Sequence, residues 1–177
     1  MTRRVWLWSI VGLFVSGALL QAADESLHIV PTVSKDEVVV SFEGADVYTE
    51  DVRAAISSGL RTTFTYDIAL RMHSSTWVDR TVATALVTIT DEYDNLTRRH
   101  RLSRAVDGRV VDALVTEDEA VVQKWLTTLE RVPVCATSKL DASRDYYVRI
   151  IAQVRPQRSI IGWASSVTGS ARFTFIP

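Results

Sequence analysis

The sequence predicts an α+β domain: a curved, mainly antiparallel sheet of about seven to eight strands, covered on its apolar face by two helices. Three observations lead there. Residues 60–73, LRTTFTYDIALRMH, alternate between greasy and polar positions. Residues 80–106 form a second long two-faced segment, broken by the turn residues Asp94 and Asn95. Two shorter segments each carry a helical apolar stripe behind a hydroxyl residue and an acidic first turn.

The elements follow in chain order. LHIVPTV (27–33) and EVVVSF (37–42) read as short strands joined by Ser34, Lys35 and Asp36. Thr49 opens a helix as its N-cap, with Glu50 and Asp51 where the helix dipole favours acids. Val52, Ala55, Ile56 and Leu60 supply its stripe, and Gly59 suits a left-handed stop. In the strand that follows, Leu60, Phe64, Tyr66, Ile68, Leu70 and Met72 share one face, interrupted only by Thr62. A strand points successive side chains to opposite faces, and at roughly 3.3 Å per residue this one would run about 45 Å.

With Asp94-Asn95 at the turn of the next hairpin, Tyr93 faces Leu96, Asp91 faces Arg98, Ile89 faces His100 and Val87 faces Leu102. That register gathers the apolar residues on one side and leaves Thr88, Thr90, Glu92, Thr97, Arg99 and Arg101 on the other. RVVDALV (109–115) is a further strand. Thr116 is the expected cap of a second helix, with Val122, Trp125, Leu126 and Leu129 as its core stripe and Pro133 marking its end. YYVRIIAQV (146–154) is a strand buried on one face, and RFTFI (172–176) a short last one. The expected order is β-β-α-β-β-β-β-α-β-β.

The first residues have the anatomy of a secretory signal peptide. Arg3 and Arg4 precede the apolar run VWLWSIVGLFVSGALL, and small residues follow at QAADES. Residues 1–23 are read as the leader, cleaved after Ala22 or Ala23, and residues 24–177 as one exported domain, periplasmic or extracellular. The alternative is a leader retained as an N-terminal membrane anchor. Without Arg3 and Arg4, 18 of the 20 basic residues remain against 21 acidic ones, a net of −3 that argues against a nucleic-acid partner. The single Cys135 cannot form an internal disulfide, and its setting VPVCATS reads as a buried inert thiol or, failing that, an intermolecular bridge.

Several segments together resemble a known family. They are VVVSFEGADVYTEDVRAAISSGLRTTFTYDIAL, with Trp77 after it, the charged strand RRHRLSR and the closing YYVRIIAQVRP. They are similar to small exported bacterial proteins catalogued as domain of unknown function 4390, over nearly the whole mature chain. The resemblance implies an envelope protein of unassigned function and transfers no active-site residues. The family's closing segment often carries several tryptophans, and Trp163 stands there in this chain.

Sites of chemistry are sparse. Nucleophilic hydrolysis needs a Ser or Cys within reach of a His and an acid. Of His28, His73 and His100, only His73-Ser74-Ser75 forms a cluster, and no nucleophile-elbow pattern surrounds it. No His or Cys pair has metal-ligand spacing, and DEYDN (91–95) lacks the spaced ligands and glycine of a calcium loop. Asn95-Leu96-Thr97 matches a glycosylation sequon, relevant only in a eukaryotic secretory pathway. No catalytic residue, metal or cofactor is therefore expected.

The most distinctive charge feature is the run Arg98, Arg99, Arg101 and Arg104, which a strand divides between its two faces. Its ordinary reading is a solvated sheet face. Its functional reading is a surface for an acidic partner or anionic lipid headgroups. The expected function is that of a non-enzymatic envelope protein binding a protein partner through its sheet surface or edge, these arginines being the contact. The alternative is a carrier holding a lipid or other apolar molecule between sheet and helices, with Phe64, Tyr66, Trp125 and Trp163 lining the pocket. A hydrolase with an unrecognised site is the third reading.

Overall fold

A computed structural model describes residues 27–34, 36–74, 78–157 and 165–176. The expected leader (1–23), Ser75, Trp77 and Trp163 lie outside the described residues. The strands are β1 (His28–Ser34), β2 (Glu37–Glu43), β3 (Thr62–Met72), β4 (Arg80–Asp94), β5 (Arg99–Val106), β6 (Arg109–Thr116), β7 (Thr128–Ala136), β8 (Asp145–Pro156) and β9 (Ser165–Thr174). The α-helices among the described residues are α1 (Glu50–Ser57) and α2 (Glu119–Thr127). All strand pairs are antiparallel, in a sheet ordered β1-β2-β7 and a larger one ordered β6-β5-β4-β3-β8-β9. The α+β antiparallel class holds, but the helices share the covering of the large sheet with the three-stranded one. Among the described residues no helix is long and apolar enough to cross a membrane.

β3 is the middle of this arrangement. It pairs along its whole length with β4 on one side and β8 on the other. Thr62, Phe64, Tyr66, Ile68 and Leu70 are buried on its inner face. Val148, Ile150, Ala152 and Val154 of β8 and Ala85, Val87 and Ile89 of β4 extend that face, so the core is one continuous apolar layer. The small sheet closes over it through Val38, Val40 and Phe42, whose ring lies 5.0 Å from that of Tyr66. The Tyr66 hydroxyl donates to the Leu126 carbonyl at 2.6 Å, which ties the large sheet to α2 without leaving a buried polar group unpaired.

The α1 boundaries are as the sequence predicts. Thr49 Oγ1 accepts from the Val52 amide, and Gly59 follows the helix at φ +81°. The cap of α2 is different. Asp118, not Thr116, accepts from the amides of Ala120 and Val121, while Thr116 Oγ1 accepts from the Asp118 amide. The helix also stops earlier, at Thr127, and Leu129 and Pro133 belong to β7. Pro133 is tolerated because β7 is an edge strand and meets β2 irregularly at that point. A second irregularity puts Arg131 at φ +52°, its amide donating to Ser41 Oγ.

The β4–β5 hairpin turns over residues 95–98 rather than at Asp94-Asn95 alone. Asp94 Oδ1 accepts from the amides of Leu96 and Thr97, and Arg98, at φ +58°, donates to the Asp94 carbonyl at 2.7 Å. The pairs are therefore Tyr93 with His100, Asp91 with Leu102, Ile89 with Arg104 and Val87 with Val106. Each partner moves by four residues, an even slip, so the side chains that remain on the strands keep the face that the alternation assigns to them. Leu96, Thr97 and Arg98, expected on the strand, fall in the turn instead, and Leu96 is 95% exposed. β9 begins at Ser165, earlier than the expected 172, and ends at Thr174.

Gly169 of β9 packs directly against the start of β1. A Cβ there would stand 2.7 Å from Leu27 Cβ and 3.3 Å from the Leu27 carbonyl oxygen. Gly169→Ala is expected to lower stability by about 1–3 kcal/mol through forced displacement of β1. Urea denaturation measures this, and an unchanged midpoint would show that the contact gives way freely.

Candidate functional site

The β5–β6 hairpin closes at Asp107 and Gly108, both with positive φ (49° and 79°), the conformation of a tight hairpin turn. Asp107 fastens the tip to β4: its amide donates to the Leu86 carbonyl at 2.8 Å, and its Oδ1 accepts from the Leu86 amide at 2.9 Å. β6 is the last strand of the large sheet. Val110 pairs with Ala105 and Asp112 with Arg104, so Val111 is an extra residue in the ladder.

Between this hairpin and β7 runs an open groove of about 720 Å³. Val106, Val111, Leu129, Val132 and Pro133 give it apolar walls, and Arg104, Arg109, Arg131, Asp107, Asp112 and Glu130 a mixed-charge rim. Arg104 is its most constrained cation. Its guanidinium lies 4.3 Å from the Trp125 ring centroid, and Nη2 donates to the Trp125 carbonyl at 2.9 Å. Nε is buried with no hydrogen-bond partner. Burial pulls the Arg104 pKa below the ordinary arginine value, with Asp112, Tyr66 and Glu130 acting in the other direction.

The four arginines of the basic run are not brought onto one surface. Arg98 sits in the turn, and Arg99 Nε meets Glu117 Oε1 at 2.9 Å. Arg101 stands opposite Glu92, which itself pairs with Arg61 at 3.1 Å. Arg104 belongs to the inner side, beside Trp125. Of the residues expected to line an apolar pocket, Phe64 and Tyr66 are fully buried in the core. Trp125 is half-buried and borders a small open cavity with Arg104, Val121, Lys124, Thr128 and Glu130. Cys135 is half-buried, and burial pushes its thiol pKa up.

Two His–Asp pairs have no counterpart in the sequence pattern. His100 Nδ1 lies 2.9 Å from Asp91 Oδ2, both side chains buried, with the Tyr93 ring 4.5 Å from the imidazole. His73 Nδ1 lies 3.3 Å from Asp79 Oδ1 at the other end of the sheet. Asp91 and His100 are nine residues apart and meet diagonally across the hairpin. Neither lines the groove. Among the described residues no three His, Cys, Asp or Glu side chains could hold a metal ion.

A family model, described as a domain of unknown function (DUF4390), matches residues 25–158, from the start of β1 through the end of β8. The chain belongs to the DUF4390 family. No curated protein and no solved structure matches it. The groove, β6 and the Asp91–His100 pair all lie inside the DUF4390 segment, whereas β9 follows it.

Burial raises the Asp91 carboxyl pKa, opposed by the hydrogen bond and charge of His100. A carboxyl raised by folding holds its proton more tightly than it does in the unfolded chain. Its burial penalty is therefore present above the raised value and is relieved as pH falls toward about 4. The stability difference between wild type and Asp91→Asn is expected to shift in favour of wild type as pH drops from neutral toward that range. Urea titrations at several pH values check it, and a constant difference would count against a perturbed Asp91.

Proposed function

We propose that this DUF4390 chain is an exported, non-enzymatic envelope protein that binds an extended segment of a protein partner by adding it as a strand beside β6. The supporting observation is the edge itself. Val110, Val111 and Val115 are 71%, 58% and 60% exposed on an eight-residue strand that ends the large sheet. An edge strand offers unpaired backbone donors and acceptors to a new strand, and alternate side chains then set specificity. Here the outer side chains are Val110, Ala113 and Val115, opposite Ala105, Ser103 and Arg101. The inner side opens on the groove, where apolar walls and a rim of both signs suit a side chain of the incoming segment.

Two further observations favour this reading over its rivals. Phe64 and Tyr66 are spent on filling the core, so neither is free to line a cavity for an apolar cargo. Asp91, a carboxylate with a raised pKa, faces the core and not the groove, so the groove lacks that acid for hydrolysis. The arginines at 99 and 101 are matched by Glu117 and Glu92, which makes them a solvated face beside the proposed contact.

A photo-crosslinking residue at position 110 or 115 in the exported protein is expected to capture one recurrent partner segment. With that partner purified, amide exchange along β6 should slow by at least about tenfold, and Val115→Lys should abolish the effect. If β6 amides exchange at the same rate with and without the captured protein, strand addition at this edge is wrong.

A further inference from the structure

The opposite end of the large sheet carries a second surface with a different chemistry. Arg71 of β3 pairs with Tyr147 of β8, and Tyr147 with Arg172 of β9, so two arginines flank the tyrosine on neighbouring strands. Arg149 stands two residues along β8, on the same face. Strands about 4.8 Å apart place Arg71 and Arg172 roughly 10 Å from each other across the ring. Arg149 and Arg172 are exposed, and the Arg71 guanidinium lies 5.8 Å from the Tyr147 ring centroid.

Three carboxylates share this face and offset part of its charge: Asp67, diagonal to Arg149 across β3 and β8, and Asp79 and Asp145, both hydrogen-bonded to other groups. Asp79 accepts from the Tyr147 hydroxyl at 2.8 Å and the Ser74 amide at 3.0 Å, and it stands 3.3 Å from His73 Nδ1. Asp145 accepts from Thr174 Oγ1 at 2.7 Å. Arg71 reaches only the Asp79 backbone carbonyl, at 3.0 Å, and its Nε is buried without a hydrogen-bond partner. Among the described residues none of these three arginines has a carboxylate within 4 Å, unlike Arg61 and Arg99. The same rim holds two of the most exposed apolar side chains, Val78 at 75%, next to Asp79, and Ile176 at 80%, two residues beyond Thr174.

We propose that this rim is a membrane-contact surface that seats the domain on anionic phospholipid headgroups, with Arg71, Arg149 and Arg172 meeting the phosphates and Val78 and Ile176 entering the interface. Arginines with no carboxylate in direct contact, beside exposed aliphatic residues and an amphipathic tyrosine, combine electrostatic attraction with shallow apolar insertion. An acidic protein would use the arginines but has no need of Val78 and Ile176. The surface lies across the sheet from β6, so lipid contact and strand addition at β6 do not compete for space.

The test uses the full chain, expressed with its own leader, and vesicles of phosphatidylglycerol with phosphatidylethanolamine or of phosphatidylcholine alone. A fluorophore at Ile176→Cys, in a Cys135→Ser background, reports contact with doxyl-labelled lipid at the rim itself. Quenching is expected on the anionic vesicles alone, and should fade between about 0.05 M and about 0.5 M salt. Arg149→Gln/Arg172→Gln, two exposed positions that spare the fold, should weaken partitioning about 25-fold, at roughly fivefold per arginine. The proposal is overturned if the probe stays unquenched on anionic vesicles, or if the double variant partitions like wild type. Binding of soluble polyglutamate without any quenching by vesicles would assign the face to an acidic protein and overturn it equally.

Discussion

β3 is the constraint on which the other elements depend. Among the described strands of the large sheet it is the one flanked along its full length on both sides, and its inner face is buried without a gap from Thr62 to Leu70. A face of that length cannot be left in water, so it dictates a second layer, and β1, β2, β7, α1 and α2 each supply part of it. Tyr66 shows how tightly the layers are joined. Its ring packs on Phe42 of the small sheet while its hydroxyl satisfies the last turn of α2. Shifting β3 by one residue would exchange these buried side chains for Thr63, Thr65 and Asp67.

What could be read from the chain was whatever local periodicity encodes. The alternation of β3, the Thr49 cap and the left-handed Gly59 are properties of a few neighbouring residues, and all of them hold. The faces of β4 and β5 hold as well, because the slip in register was even, although it moved Leu96, Thr97 and Arg98 into the turn. What could not be read depends on distant partners or on side-chain competition. β7 looks like the tail of a helix because Leu129 continues the spacing of Val122 and Leu126, and only β2, far away in sequence, turns it into a strand. Thr116 and Asp118 are both good caps, and the shorter helix is the one that lets Asp118 bond two amides. The groove has no local signature at all, since β7 supplies one wall of it. The basic run drew attention by its density, yet density along a strand says little about net charge once Glu92 and Glu117 stand beside it. Arg71, Arg149 and Arg172 are scattered in sequence and are gathered only by pairing.

The large sheet thus presents different chemistry at its two ends. At the β6 edge, apolar side chains stand beside open backbone, and a mixed-charge rim surrounds the neighbouring groove. At the far rim, among the described residues, arginines without a carboxylate in direct contact stand next to exposed aliphatic residues. The extra residue at Val111 disturbs the ladder next to the hairpin tip, which discourages indiscriminate edge-to-edge association while leaving Asp112–Thr116 regularly paired.

The pairing of β2 with β7 also has a temporal side. Ser41 and Arg131, which bond across that pair, are 90 residues apart in the chain, and everything from α1 to α2 lies between them. As the polypeptide emerges, its first two strands can form a hairpin, but they have no third strand until most of the domain has been made. Such distant closures are slow, because chain entropy is lost before the contact is gained. The small sheet therefore closes late, and the interval in which β2 waits with an open edge exposes this strand to mispairing.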